Sequence, residues 1–338
     1  MSSTRTSWDA SRSYRSSADV PEGRGRGRVF GAWCAGLLLA AVSVVVGFRT
    51  ADSDGITPVP QVLAFLPWLL APTGLALALA LLTRWWTGLV WGVVVLGLLA
   101  WFIEPYGTTD PPAGRPVASL RVLASNVEFG RATDSLVTAV RRERPDLVFV
   151  TECEYGCQKT LRREVSGDYP YRQAVEGPSS IGSLILSRHR LTPAAVLPGT
   201  LGMPGAVADV DGHAVRLQLA HPMPPLPRQV SLWNRELDRV RDFSAAQRGP
   251  LVLAGDFNAT QDHAAFRRIL DTGLRDAARL VGEDREPSWP SGWTPVFGAQ
   301  IDHVLVSADF SAHSARFLDL AGTDHRALLV DVTLHGSG

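Results

Sequence analysis

The fold of this chain is decided by residues 251–258, which read LVLAGDFN. The four apolar residues that open the stretch are typical of a short buried β-strand. Gly255, Asp256 and Asn258 are residue types that turns favour, so the second half could be an ordinary turn. It could also be a strand end that presents polar side chains to solvent, where functional residues often lie. The rest of the chain separates these two alternatives.

Short apolar runs of the same kind recur from residue 120 to residue 332. They predict further strands at residues 120–125, 147–150, 183–186, 215–220, 304–307 and 328–332. Apolar residues spaced as on one face of a helix predict helices at residues 133–144, 232–243 and 263–270. This is a mixed α/β pattern with many strands.

Polar residues directly follow several of these predicted strands. In chain order they are Asn126, Glu128, Glu152, His221, Asp256 and Asn258. Strand ends at one rim of a layered core converge into a pocket, and rigid strand ends hold side chains well. The pattern therefore favours a metal-dependent site, assembled from residues far apart in the sequence, over a set of ordinary turns.

Six short clusters carry a resemblance to a known superfamily. In chain order they are Asn126-Val127-Glu128, Thr151-Glu152, Ala220-His221, Gly255-Asp256-Phe257-Asn258, Ile301-Asp302-His303-Val304 and Thr323-Asp324-His325. In order and approximate spacing the set resembles the endonuclease/exonuclease/phosphatase superfamily over residues 120–334. The resemblance implies a four-layered α/β sandwich, with two packed, mostly antiparallel sheets flanked by helices and a divalent metal at their common rim.

The same resemblance implies roles in phosphoester hydrolysis. Glu152, Glu128 and Asp324 are expected to hold Mg²⁺ or Mn²⁺, ions that prefer hard oxygen ligands. The expected catalytic residues are Asp256, Asn258, His221, Asp302, His325 and Asn126. His221 is expected to contact the phosphate or the leaving oxygen from the side opposite His325.

The remaining roles divide between water activation and phosphate binding. Asp256 is expected to orient and deprotonate the attacking water, while Asn126 and Asn258 hold phosphate oxygens or waters of the metal. His325 is expected to face the phosphate, and Asp302 to fix its orientation and favour its protonated form.

The other histidines are expected to be structural or exposed. Because side chains alternate along a strand, His303 is expected to point away from the side that Asp302 faces. Five histidines stand in no polar cluster and are expected at the surface: His189, His213, His263, His313 and His335.

Three long uncharged runs precede this region, at residues 29–48, 61–83 and 85–103. Each could cross roughly 30 Å of hydrocarbon as a helix. Buried core helices or a cleaved signal peptide are the alternatives, but three such runs exceed what a soluble core of this size needs. Pro67 and Pro72 in the second run are tolerated in packed membrane helices. The runs predict three transmembrane helices.

Arginine placement predicts the topology. Six arginines lie before the first run: Arg5, Arg12, Arg15, Arg24, Arg26 and Arg28. The positive-inside rule then places the N-terminus in the cytoplasm and, after three crossings, the large domain outside the cell membrane. We expect a disordered cytoplasmic tail at residues 1–28, an anchor at 29–103, a linker at 104–116 and a catalytic domain at 117–338.

Composition limits the substrate and the state of the cysteines. Residues 117–338 hold 24 Lys plus Arg against 26 Asp plus Glu, a poor electrostatic match for a polyanionic nucleic acid. Cys153 and Cys157 could pair in an oxidising exterior or remain two reduced thiols. No protein partner can be deduced.

Location favours a phosphorylated or pyrophosphorylated lipid, or a cell-envelope precursor, as the substrate, because a tethered domain meets head groups at high effective concentration. The layout also resembles the VanJ-type teicoplanin-resistance membrane proteins. A first alternative is a membrane-tethered extracellular nuclease acting on DNA or RNA, with phosphate contacts from Arg162, Arg163, Arg267 and Arg268. A second is a non-catalytic module that binds lipid head groups.

Overall fold

Two six-stranded sheets form the core of the computed structural model, which describes residues 22–103, 114–293 and 296–336. The strands are β1 (Pro116–Asn126), β2 (Leu147–Thr151), β3 (Tyr171–Val175), β4 (Ser183–Ser187), β5 (Arg190–Ala194), β6 (Gly205–Val210), β7 (His213–Ala220), β8 (Leu251–Asp256), β9 (Arg275–Asp276), β10 (Asp302–Val306), β11 (Phe310–Asp319) and β12 (Arg326–His335). Their orders are β11-β12-β1-β2-β4-β3 and β5-β6-β7-β8-β10-β9.

Each sheet contains one parallel pair, β1 with β2 and β7 with β8, and its other pairs are antiparallel. Helices α5 (Thr133–Glu143) and α6 (Tyr155–Val165) pack on the first sheet, and α7 (Val230–Ala246) and α8 (Ala264–Leu270) on the second. A short helix, α9 (Ala277–Leu280), contributes to the core between the sheets. The expected four-layered α/β sandwich is confirmed.

Alternation along the central strands builds these layers. In β1, Val122 and Ala124 face the core between the sheets, while Leu123 packs in the cluster beneath α5 and α6. In β8, Val252 faces the same inter-sheet core and Leu253 packs toward α7 and α8. The strands are apolar on both faces because both faces are covered.

The seven predicted strands correspond to β1, β2, β4, β7, β8, β10 and β12, and the three predicted helices to α5, α7 and α8. Four of the strands that the apolar pattern missed, β3, β5, β9 and β11, are the four sheet edges. Edge strands such as β3 and β5 are more exposed and lack a continuous apolar run. The fifth, β6, is built from small residues such as Gly205 and Ala206.

The N-terminal region is helical: α1 (Glu22–Thr50), α2 (Val59–Leu63), α3 (Leu70–Thr83) and α4 (Trp86–Ile103). Three segments are long and apolar enough to cross a membrane: Arg26–Thr50, Leu66–Thr83 and Trp86–Ile103. They are candidate spans and suggest a membrane anchor.

The second candidate span, Leu66–Thr83, is shorter than the uncharged run at residues 61–83. Helix α2 ends at Leu63, and a short 3₁₀ helix, Leu66–Leu69, separates it from α3. Pro67 lies in that 3₁₀ helix and Pro72 in the first turn of α3. Proline is accommodated there because the first-turn N–H groups have no partner within the helix.

Helix α1 begins at Glu22, so residues 22–28 are helical although we predicted them as part of the disordered tail. An apolar helix continues readily past its hydrophobic stretch once it is nucleated. Arg28 donates a hydrogen bond to the carbonyl oxygen of Thr83 at the end of α3 (3.3 Å). Residues 1–21 of the predicted tail and 104–113 of the predicted linker lie outside the described residues.

Candidate active site

Strand register brings the predicted polar residues to one rim. The parallel pairs place Asn126 beside Thr151 in one sheet and Ala220 beside Gly255 in the other. Antiparallel pairing then places Asp302 opposite Asp256, at the start of β10. Each pair lies at the end of its sheet where the parallel strands β1, β2, β7 and β8 terminate. Side chains separated by up to 200 residues in sequence therefore meet between the two sheets.

Gly255 is required by this close approach. Its φ is +145°, and a β-carbon at this position would lie 2.2 Å from the carbonyl oxygen of Ala220 on β7. A side chain would therefore separate β7 from β8 at the rim. The glycine of the sequence motif allows His221, which follows Ala220, to lie near Asp256.

Asn126 connects the two sheets across the rim. Its Nδ2 donates hydrogen bonds to Glu152 Oε1 and to Asp256 Oδ2, both at 3.1 Å. Its Oδ1 accepts a hydrogen bond from the backbone N–H of Glu128 (2.9 Å). Glu128 and Glu152 both have positive φ, 43° and 57°, which turns the chain sharply after β1 and β2. One amide thus positions three acidic residues.

Asp302 and His325 form a buried pair. Nδ1 of His325 donates to Oδ2 of Asp302 at 2.8 Å, and its Nε2 lies 3.9 Å from Asp256 Oδ2 and 3.8 Å from Asp324 Oδ1. Although burial by itself lowers it, the charge and hydrogen bond of Asp302 raise the pKa of His325 to about 10. The imidazole is therefore a cation at neutral pH, with Nε2–H free to contact an anion.

Asp256 is the other buried acid of this group. Burial, and then repulsion by the negative charge of Asp302, raise the pKa of Asp256 above its usual value. Its Oδ1 accepts a hydrogen bond from the backbone N–H of Asn258 (2.8 Å), whose side-chain amide donates to the carbonyl oxygen of Pro222 (3.0 Å). A carboxylate with a raised pKa is a stronger base than an exposed aspartate.

Glu152 and His221 lie next to each other, close to Asp256. Burial raises the pKa of Glu152, whose Oε2 also accepts a hydrogen bond from the backbone N–H of Phe129 (3.2 Å). Burial lowers the pKa of His221 to about 4, so its imidazole is neutral at pH 7. Its Nε2 lies 3.9 Å from Glu152 Oε1, and its Nδ1 has no hydrogen-bond partner within the described part of the chain.

Glu128 and Asp324 lie at the mouth of the site and bond to each other. Glu128 Oε2 accepts a hydrogen bond from the backbone N–H of Asp324 (3.0 Å), and its Oε1 pairs with Arg131. Asp324 Oδ2 accepts a hydrogen bond from Nε1 of Trp289 (2.9 Å). From sequence alone Trp289 could equally be a rim or a core residue. It proves to orient Asp324.

A cavity of about 540 Å³ opens above these groups, and we call it the rim cavity. Its polar lining consists of the predicted residues Glu128, Glu152, His221, Asp256, Asn258, Asp324 and His325, with Gln61, Ser180 and His263. Its apolar lining includes Phe129, Leu201, Met223, Leu226 and Trp289. Pro60, Gln61, Ala64 and Phe65, from the segment between α1 and α3, complete it. No motif in the sequence marks these last four residues.

The acidic groups fit a divalent cation. Ligand atoms of Asp256, Asp302 and His325 lie within 4.8 Å of one another, and Asn126 holds Glu152 next to Asp256. Since the protonated His325 repels a cation, the carboxylates are the better ligands. Oxygen donors of this kind suit Mg²⁺ or Mn²⁺ more than the nitrogen and sulfur donors typical of zinc sites.

Three other sequence expectations had definite outcomes. Cys153 and Cys157, for which pairing was open, form a disulfide directly after Glu152, with Cα atoms 5.2 Å apart. His303 contacts Asp276 in the layer beneath α8, as a structural residue should. The surface position expected for His263 is wrong: the side chain is buried, because the N-terminal region covers it.

Known proteins share this family and fold. A model of the endonuclease/exonuclease/phosphatase family matches residues 123–325. An endonuclease/exonuclease/phosphatase from Beutenbergia cavernae DSM 12333 is similar in structure, with a TM-score of 0.56 and 20% identity, over 66% of this chain and 72% of that chain. TDP2 from D. rerio, complexed with a single-strand DNA product, has a TM-score of 0.55 and 14% identity, over 64% and 99% respectively. At these identities the structures show a common fold.

Curated relatives match a shorter part of the chain. A UPF0294 protein of Klebsiella pneumoniae (strain 342) is 29% identical over 125 residues, which is 36% of this chain and 40% of the relative. A UPF0294 protein of Erwinia tasmaniensis is 26% identical over 157 residues, 46% and 50% respectively. The chain thus matches half or less of the length of these curated relatives.

Proposed function

Since the chain belongs to the endonuclease/exonuclease/phosphatase family, whose members are metal-dependent phosphoester hydrolases, we propose that it is a membrane-anchored phosphoesterase. Its substrate is a phosphorylated or pyrophosphorylated lipid, or a cell-envelope precursor, on the extracytoplasmic face. One observation carries the proposal: the rim cavity is lined both by the acidic and histidine side chains and by Phe65, the residue before the candidate span Leu66–Thr83. The site therefore lies next to the predicted membrane surface.

The side chains divide the chemistry between them. Asp256, with its raised pKa, orients the attacking water and accepts its proton. The His325 imidazolium, held by Asp302, donates Nε2–H to a phosphate oxygen and offsets the negative charge that develops there. Asn126 keeps Asp256 in place, and neutral His221 lies beside Asp256. Glu152, with Glu128 and Asp324, would hold a divalent cation, which when bound would supply further neutralisation of phosphate charge.

The proposed organisation follows from the same features. An anchor at residues 29–103 joins a catalytic domain at 117–338 through a linker at 104–116. With the N-terminal arginines in the cytoplasm, three crossings by the candidate spans support a catalytic domain outside the membrane. The resemblance to VanJ-type membrane proteins fits this layout and makes an isoprenoid lipid carrier one substrate to test.

A membrane-tethered nuclease is the second candidate, and the related fold of TDP2 with its single-strand DNA product is the observation in its favour. The ion pairs of the surface arginines argue against a nuclease. Arg163 pairs with Glu164, Arg268 with Asp238 and Arg267 with Asp52, so three of the four arginines expected to bind phosphates are neutralised by carboxylates. Arg162 lies on α6, a different helix from the α8 pair. The four do not form one basic track.

A head-group binding module without catalysis is the third candidate. Such a module needs cationic and hydrogen-bonding groups but no base to activate water. The raised pKa of Asp256, beside the cationic His325, therefore favours hydrolysis over simple binding.

Phosphate release tests the three candidates together. The purified full-length protein is assayed in detergent with Mg²⁺ on polyprenyl pyrophosphate and phospholipids, with plasmid nicking alongside. Asp256→Ala and His325→Ala are the inactive controls. Lipid hydrolysis lost in both variants supports the proposal. Plasmid nicking without lipid turnover supports the nuclease instead, and binding without turnover of any substrate supports the head-group module.

A further inference from the structure

The segment between the first two candidate spans is docked onto the sandwich. We call Pro60, Gln61, Ala64 and Phe65 the anchor wall, because all four line the rim cavity and belong to the N-terminal helical region. The wall belongs to α2 and the turn after it, whereas the other lining residues belong to the sandwich. The site is therefore composite, and a catalytic domain without its anchor lacks one side of the cavity.

One end of the wall is attached at the start of α8. The Asp54 carboxylate accepts hydrogen bonds from the backbone N–H groups of Ala264 (2.7 Å) and Ala265 (2.9 Å). A buried carboxylate at a helix N-terminus is stabilised by these unpaired donors. His263 Nε2, also buried, bonds to the carbonyl oxygen of Pro60 at 2.8 Å. The buried carboxylate of Asp54 and the buried imidazole of His263 are thus both paired across this contact, as a lasting contact requires.

The other end of the wall is held by aromatic contacts. The rings of Phe65 and Phe297 stack with centroids 4.9 Å apart and planes within 5°. Nε1 of Trp68 donates to the carbonyl oxygen of Gly298 (3.1 Å), and Gln61 donates to the carbonyl oxygen of Pro225 across the cavity mouth. Stacked aromatic pairs contribute beyond the area they bury. The wall is fixed at both ends.

The rim cavity is polar at its floor, and the anchor wall and the facing loop give its mouth an apolar side. Asp256 and His325 lie at the floor, whereas Ala64 and Phe65 of the wall and Leu226 of the facing loop supply apolar surface. Leu226 is exposed and continues the apolar surface of the wall across the cavity. Phe65 is followed directly by Leu66, where a candidate span begins. The apolar end therefore lies toward the predicted membrane surface.

We propose that the anchor wall binds the first part of the hydrocarbon chain of the substrate and so selects amphiphilic phosphoesters over water-soluble ones. This inference rests on the proposed function and adds the element that chooses the substrate. The phosphate contacts the polar floor, while the chain passes between Phe65 and Leu226 toward the bilayer. Burial of each methylene in such a passage tightens binding about fourfold.

Ala64→Trp tests the proposal by filling the cavity from the wall. Binding of dodecylphosphonate and of methylphosphonate, which share a head group, is measured on the full-length protein in lipid nanodiscs with Mg²⁺. We expect wild type to prefer dodecylphosphonate. Ala64→Trp should weaken dodecylphosphonate binding about tenfold, the effect of losing roughly two buried methylenes, and leave methylphosphonate binding within about twofold. Ala71→Trp, on the exposed surface of α3, is the matched control and should change neither.

The opposing results are distinct. Either of two results overturns the inference. The first is equal affinity of wild type for dodecylphosphonate and methylphosphonate. The second is an equal loss of both affinities in Ala64→Trp, together with an unchanged chain preference in Phe65→Ala. Phe65→Ala shortens the wall without overfilling the cavity, and the inference requires it to reduce the preference for dodecylphosphonate. Chain-selective binding without hydrolysis of any phosphoester overturns the proposed hydrolase and leaves the wall as a lipid-binding element.

Discussion

Two buried histidine–aspartate pairs share consecutive residues of one strand, yet only one of them faces the rim cavity. Asp302, the first residue of β10, accepts a hydrogen bond from His325 at 2.8 Å. His303, the next residue, contacts Asp276 at 2.6 Å. Side chains alternate along a strand, so one pair lies at the rim between the sheets and the other in the layer beneath α8. Similar chemistry is placed in two different environments by a shift of one residue.

The difference lies in the second ring nitrogen. Nε2 of His303 is 3.0 Å from the carbonyl oxygen of Ala259, and the ring packs against Phe257 and Phe266. Nε2 of His325 faces two carboxylates at 3.8–3.9 Å, beyond hydrogen-bond distance, and lines the cavity. A histidine whose two nitrogens are satisfied stabilises the fold, whereas one with a free N–H can bind a phosphate. A histidine–aspartate pair alone does not identify a catalytic site.

The largest difference between the pairs is expected in activity. His325→Gln should lower kcat/KM about 100- to 1,000-fold, because the cation that faces the developing phosphate charge is lost. His303→Gln, the matched control, should retain kcat/KM within about threefold at 25 °C, since its side chain does not reach the cavity. Steady-state kinetics on both variants make the measurement. Comparable losses in the two variants would show that His303 also acts in the reaction.

A smaller effect is expected when Asp302 is changed. Asp302→Asn should lower kcat/KM about 10- to 100-fold, as loss of a positioning partner commonly does. Burial lowers the pKa of His325, and Asp302 is the main group that raises it to about 10. Without the carboxylate the pKa of His325 falls, so the alkaline limb of the pH–rate profile should move to lower pH. A profile that keeps its alkaline limb unchanged would show that His325 does not act as a cation.

The His303 pair should appear in stability instead. His303→Gln is expected to reduce the free energy of unfolding by about 2 kcal/mol at pH 6. Although burial lowers it, Asp276 raises the pKa of His303 above its usual value. The contribution of the charged pair is therefore fully present below about pH 6.5 and lost as the pH rises through the raised folded value. The melting temperatures of wild type and His303→Gln should converge toward alkaline pH. A difference in melting temperature that widens at alkaline pH would contradict this expectation.

A third buried histidine, His263, is expected to show the opposite pH dependence of stability and the smallest effect. Burial lowers the pKa of His263, whose ring bonds to the backbone of Thr260 and Pro60 instead of a carboxylate. Its contribution, about 1 kcal/mol, is present above about pH 6.5 and lost as the pH falls through the lowered folded value. Melts of His263→Gln and wild type should therefore converge in acid. Convergence at alkaline pH would mean that His263 is charged in the folded state.

These contrasts show which parts of the site could be predicted. The polar clusters that follow central strands, such as Asn126 and Asp256, were visible because covered strands are continuous apolar runs. The structural role of His303 followed from alternation along β10. The role of Trp289 could not be predicted, since an isolated tryptophan is equally suited to a core or a rim. The disulfide between Cys153 and Cys157 was open because spacing alone does not set the distance between Cα atoms.

Local pattern was enough for the class of fold, the central strands, the candidate spans and the residue types of the site. Strand burial, helix length and turn chemistry each depend on residues close together in the chain, so they can be recognised without a structure. The docking of the anchor wall could not be recognised without a structure, because Asp54 meets the start of α8 across 210 residues of sequence. Such contacts depend on how whole elements pack, and Asp54, Pro60 and Phe65 carry no local signal of the partners they find.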